Sequence, residues 1–134
     1  MPEEPVDRFA RGIDVAMHLF AGSPSPPAFP VPAEFAEDWT RLSLSTVMGD
    51  VWSRPGLERA QRALVTIALL TALNRPEQLR AYIGVGLNAG LTRVEVCEAI
   101  LHTAVYAGFP AAVEGFRIAA EVFADYDEAA GTAP

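Results

Sequence analysis

Apolar residues recur at helical spacing from the start of the chain. Val6, Phe9, Ile13, Ala16, Met17 and Phe20 fall on one stripe and predict an amphipathic helix over residues 1–20, closed at Ala21-Gly22. The stretch SPSPPAFPVP at 23–32 then carries Pro24, Pro26, Pro27, Pro30 and Pro32, which forbid a continued helix and favour an extended connector with Phe29 as a candidate anchor. A second helix is expected from Ala33 to Met48, with Phe35, Trp39, Leu42 and Val47 turned inward, and GDVWSRPGL breaks it. The third, Leu57 to Leu73, is apolar on nearly all sides in its second half, as a central helix would be. A fourth runs from Glu77 to Ala89 and stops at Gly90. Thr92 followed by Glu95 reads as a capping box opening a fifth helix that ends at Gly108, and Pro110 opens a sixth that reaches Tyr126. No segment alternates in the manner of a strand, so the expected class is all-α with six helices. The chain is organised as an N-terminal helix and Pro-rich linker (1–32), a helical domain (33–126) and a frayed tail (127–134).

Composition narrows the partners. With 134 residues, 51% of them hydrophobic, the chain has ample material for a core. A net charge of −7 argues against nucleic acid or an anionic membrane surface, which select basic patches, and points to small molecules or other protein chains. Cys97 is the sole cysteine, so no intrachain disulfide or two-thiol centre can form, which fits a reducing cytoplasm. The N-terminus has no signal-peptide pattern. The longest apolar run, ALVTIALLTAL at 63–73, is well short of the roughly 20 residues that span a bilayer.

Candidate chemistry concentrates in EVCEAILHTAVYAGFPAA, residues 95–112. On that helix Val94, Cys97, Leu101, Ala104, Val105 and Gly108 are expected to form the apolar stripe, with Glu95, Glu98, His102 and Tyr106 on an adjacent face. Cys97 then reads as core. Glu98 and His102 stand at i and i+4, close enough for the carboxylate to hold the imidazole in one tautomer, as a general acid or base requires; the bland alternative is a solvated helical pair. His18, near Asp14 and Arg11, is expected to be exposed. On the fourth helix Tyr82 shares the apolar face with Leu79, Ile83 and Gly86, so its hydroxyl needs a partner. Gly84 and Gly86 within one turn imply close approach of another helix or of a ligand. Trp52 and Arg54 are candidates to cover a pocket mouth, with Arg54 as an anion contact, or else they form a surface turn. No metal-ligand spacing, glycine-rich phosphate loop or nucleophile elbow is present, so any enzyme here is expected to need no cofactor.

GDVWSRPGL, RALVTIALLTALNRPEQLR, GLNAGLTRVEV and EAILHTAVYAGFPAAVEGFRIAAEVF, in that order, resemble the carboxymuconolactone decarboxylase family of the AhpD-like all-α superfamily over about residues 33–124. The resemblance implies a homotrimer or homohexamer with a pocket between helices and no cofactor. It also implies loss of CO2 from a carboxylated lactone, with His102 as the acid and Glu98 as its orienter. Where the family pattern reads L-R-x-H-x-R-G-A-L-N-N-G, this chain has LRAYIGVGLNAG: Tyr82 replaces a histidine, Gly84 an arginine and Ala89 an asparagine. The first change favours a hydrogen-bond donor over a neutral-pH base, and the second removes a carboxylate clamp. The peroxidase branch of the superfamily is excluded, because its Cys-x-x-Cys would fall on Arg75 and Gln78. Two function classes follow. One is a cofactor-free acid/base enzyme acting on a small cyclic carbonyl or lactone by decarboxylation or by a redirected isomerisation, cyclisation or dehydration, with Tyr82, Glu98 and His102 catalytic and Trp52, Arg54 and Tyr106 contacting substrate. The other is a non-catalytic oligomeric binding or assembly protein that retains the fold.

Overall fold

The computed structural model describes residues 5–24 and 30–131, with the side chains of 5–7 excepted. Phe29 and the middle of the proline-rich connector therefore lie outside the described residues. Among those described there are six α-helices and no strand, as expected: α1 (Pro5–Leu19), α2 (Ala36–Ser43), α3 (Arg59–Ala72), α4 (Pro76–Asn88), α5 (Arg93–Ala107) and α6 (Phe109–Ala129). A 3-10 turn, Ala33–Phe35, leads into α2, and a π-helix, Leu44–Trp52, continues it. The expected second helix is thus three helical forms in series, a change of hydrogen-bond register that apolar spacing does not reveal. No described helix is long and apolar enough to cross a membrane.

Contacts divide the chain into two compact units, Met1–Ala21 with Ala28–Glu58, and Gly22–Pro27 with Arg59–Pro134. In the first, α1 packs on the π-helix so closely that glycine is required on both sides. A Cβ at Gly12 would run into the Leu44 carbonyl oxygen, and one at Gly49 into the Arg8 carbonyl oxygen. Val15 and Leu19 bury against this contact with Met48 and Trp52. Arg8 donates to both Asp50 oxygens, at 2.9 and 2.5 Å, and Arg11 Nε donates to the Gly49 carbonyl at 2.7 Å. The predicted inward faces are corrected here: Ile13 and Met17 on α1, and Phe35, Trp39, Leu42 and Val47 beyond it, are all exposed. The glycine contact sets the rotation of α1, bringing Val15 and Leu19 inward instead.

In the second unit α4 is enclosed by its neighbours, with Leu79, Ala81, Ile83, Gly84, Val85 and Gly86 all buried. The α3–α4 turn is a Schellman motif: Asn74 takes the left-handed conformation (φ 57°), Arg75 N–H donates to Leu70 O, and Asn74 N–H donates to Thr71 O. Pro76 then starts α4. The end of α4 repeats the device with Gly90 (φ 102°), and Leu91 N–H returns to Gly86 O. That fold-back lays Leu91 over Gly86, where an added Cβ would meet Leu91 Cδ1 at 2.8 Å and Ile67 Cδ1 at 3.2 Å. At Gly84 it would meet the Tyr126 hydroxyl at 3.1 Å. Both glycines therefore make room for other parts of the chain. The capping box is present as expected: Glu95 N–H donates to Thr92 Oγ1 at 3.0 Å and Thr92 N–H to Glu95 Oε1 at 2.9 Å.

Two further expectations are corrected. α3 buries one stripe, Ala63, Ile67 and Thr71, and leaves Val65 and Leu69 exposed, with Leu73 exposed just after it. On α5 the buried residues are Val96, Ile100, Thr103 and Ala104, whereas Val94, Leu101 and Val105 face outward and Cys97 is half-buried. That helix has apolar residues around most of its circumference, so spacing alone does not fix its rotation; close contact of Ile100 with α6 at Gly115 does. α6 continues past Tyr126 to Ala129.

If the α1 contact is a backbone-to-backbone seat, Gly12→Ala and Gly49→Ala each lower the stability of the first unit by about 1 to 3 kcal/mol through overpacking. Gly56→Ala, where an added Cβ meets nothing within 4 Å, is the control and leaves the denaturation midpoint unchanged.

Candidate active site

The capping box fixes where α5 begins and so where each later side chain points. Val94, Glu95, Glu98, Ala99 and His102 face Leu64, Val65 and Ala68 of α3 across an open groove of about 540 Å³. The i, i+4 spacing does bring Glu98 and His102 to one surface. No hydrogen bond joins them; the imidazole lies beside the Tyr106 ring, with centroids 5.1 Å apart and planes tilted by 39°. Tyr106 itself is 80% exposed. Two carboxylates, one imidazole and apolar walls line this groove, and no cationic side chain does.

Tyr82 is not among the groove's lining residues. It is half-buried on α4, and burial raises its phenol above the ordinary 10.0, so the neutral donor form is favoured throughout the neutral range. Trp52 and Arg54 belong to the first unit. Trp52 is 5% exposed and forms part of that unit's core at the end of the π-helix, while the Arg54 side chain is exposed just beyond it. His18 is exposed on α1, its Nδ1 2.8 Å from the Asp14 carbonyl.

Among the described residues no group of three or more His, Cys, Asp or Glu side chains is arranged to hold a metal ion. Position 84, where the resemblance called for an arginine, is closed: Tyr126 on α6 reaches it and its hydroxyl lies 3.4 Å from the Gly84 carbonyl. A guanidinium that sequence reasoning passed over lies on α3 instead. Arg62 is half-buried, and its Nε is buried with no hydrogen-bond partner. Its place in the periodic pattern gave no sign of this, because the absence of a partner is a tertiary property.

Comparison with known proteins follows the same lines. The sequence model described as the carboxymuconolactone decarboxylase family matches residues 34–121. The chain is 45% identical over 92 residues to a 4-carboxymuconolactone decarboxylase of Acinetobacter baylyi, covering 69% of each chain. It is 34% identical over 91 residues to a nitrosuccinic acid decarboxylase of Metarhizium robertsii, covering 68% of this chain and 64% of that one. It is also 35% identical over 101 residues to an uncharacterized 15.0 kDa protein of Paracoccus denitrificans, covering 73% of this chain and 69% of that one. The family match spans most of α2 through α6, including both sides of the groove, and with these identities it makes the chain a member of the carboxymuconolactone decarboxylase family.

Proposed function

We propose that the protein is a decarboxylase-type enzyme that removes CO2 from a small carboxylated carbonyl or lactone compound, using acid/base chemistry of its own side chains and no cofactor. The observation that carries this reading is the 45% identity over 92 residues to a named decarboxylase. In the reaction the bond to the carboxylate breaks, its electron pair passes into the conjugated carbonyl as a dienolate, CO2 leaves, and a proton returns to carbon. The protein must seat the carboxylate, stabilise the dienolate oxygen and supply the proton.

In the first reading His102 supplies the proton from the α3–α5 groove, Glu98 orients it on substrate binding, and the Tyr106 ring limits the swing of the imidazole. A second reading is favoured by the charge of the groove, since two carboxylates without a cation repel a substrate that carries a carboxylate. In that reading the phenol of Tyr82, kept neutral by burial, donates to the dienolate oxygen and the groove takes no part. Arg54, exposed in the first unit, keeps its place as a candidate anion contact.

The protein also works as a homo-oligomer in this proposal, a trimer or a hexamer. Val65 and Leu69 on α3, Leu73 just after it, Leu101 and Val105 on α5, and Phe109 and Val113 on α6 are each at least half exposed in the single chain. So much apolar surface is what contact between copies removes from water.

Purified protein given 4-carboxymuconolactone is expected to release CO2. His102→Ala lowers kcat/KM by about 10²- to 10⁴-fold in the first reading, and Tyr82→Phe does so in the second. No CO2 from a well-folded protein would favour the non-catalytic oligomeric alternative. Light scattering is expected to give a mass three or six times the 14.4 kDa chain, and a monomer at micromolar concentration would overturn the assembly. Ultraviolet titration of the three tyrosines should contain one phenol ionising above pH 10 that disappears in Tyr82→Phe. Between the unfolded and folded pKa values the native state binds more protons than the unfolded chain. The stability linked to Tyr82 is therefore complete below pH 10 and is lost as pH rises through the folded value.

A further inference from the structure

The arginines of this chain are mostly accounted for by acids. Arg8 and Arg11 meet Asp50, Arg80 meets Glu77 and Glu121, Arg93 meets Asp127, and Arg117 meets Glu114 and Glu121. Arg41 lies over the Phe9 ring, and Arg75 donates to the Leu73 carbonyl. Arg62 differs from these. It is half-buried, its Nε is out of reach of water, and no acceptor among the described residues meets that atom. Arg54 and Arg59 also lack a carboxylate, but both are exposed and water solvates them.

Two features of its surroundings add positive potential at Arg62: Arg59 stands three residues earlier on the same helix, and the N-terminal end of a helix carries partial positive charge, offset in part by exposed Glu58 just before α3. Thr66, one turn on, donates its hydroxyl to the Arg62 carbonyl at 2.9 Å and leaves the guanidinium as it is. The guanidinium stays charged at every ordinary pH and offers a planar fork of donors that matches a carboxylate.

We propose that Arg62 is the seat of a carboxylate that arrives from outside the chain, the leaving carboxylate of the small substrate. This rests on the decarboxylase reading only for the identity of the ligand. About 100° per residue puts Arg62 on the opposite side of Ala63 from Leu64 and next to Val65, three residues on, which lines the groove edge, while Ala63 and Ile67 face Gly86 of α4. A carboxylate held at Arg62 supplies the clamp that Gly84 cannot.

The test uses the full chain in its native assembly, with arginine labelled with nitrogen-15 and adipate as the probe. Titration is expected to shift one Nε–H signal saturably, a signal absent from Arg62→Lys protein. In Arg62→Gln the adipate Kd rises by about tenfold or more, the effect of losing a charge-assisted hydrogen bond, while Arg62→Lys recovers part of the affinity. No saturable shift in the native protein, or equal affinity in Arg62→Gln, overturns the seat. So does a change in oligomeric mass in Arg62→Gln with adipate binding intact, which would give Arg62 to a carboxylate of another copy. The two proposals fail separately: adipate binding without CO2 release leaves the seat and removes the activity, and turnover with an unchanged KM in Arg62→Gln does the reverse.

Discussion

At position 86 there is no space for a side chain, and the arrangement of the second unit follows from that. Gly86 accepts Leu91 from the turn after α4 and Ile67 from α3 at the same point, so α4 is fixed against α3 and the chain is turned towards α5 by one residue's lack of a Cβ. Gly115 does the corresponding work for α6, where an added Cβ would meet Thr71 and Ile100. Buried Ile67, Leu79, Ile83, Ile100 and Ile118 then fill the space that these approaches define. Glycine costs helix stability in isolation, and here packing outweighs that cost because dispersion and burial both grow as helices draw together.

Local devices were legible in the sequence and rotations were not. Thr92 and Glu95 announce the start of α5 because a capping box is a relation between residues three apart, decided before any tertiary contact forms. The six helices were legible for the same reason. Which face of α1 or α5 turns inward was misread, because apolar residues surround α5 and because backbone contact at Gly12 and Gly49 overrides the stripe of Ile13 and Met17. The many exposed apolar residues have the same origin, since a pattern suited to burial does not say whether the covering surface comes from the same chain.

The candidate site was legible in part. Glu98 and His102 share a groove because i and i+4 residues share a face of any helix. Their expected hydrogen bond is absent, since a shared face sets proximity and leaves the side-chain rotamers free. Trp52, read as covering a pocket mouth or as part of a surface turn, is buried in the core of the first unit, a placement that depends on the π-helix and on α1. Arg62 resembled any other helical arginine until its surroundings were known.

The contact between Tyr126 and Gly84 bears on the history of the chain. An arginine at position 84 would need the volume that the Tyr126 hydroxyl and Ser23 now occupy, so the two ends of that contact are not independent characters. A lineage moving between arginine and glycine there passes through an intermediate that is either overfilled or hollow, unless position 126 changes with it. Residues 84 and 126, 42 apart in sequence, are therefore expected to vary as a pair across related chains.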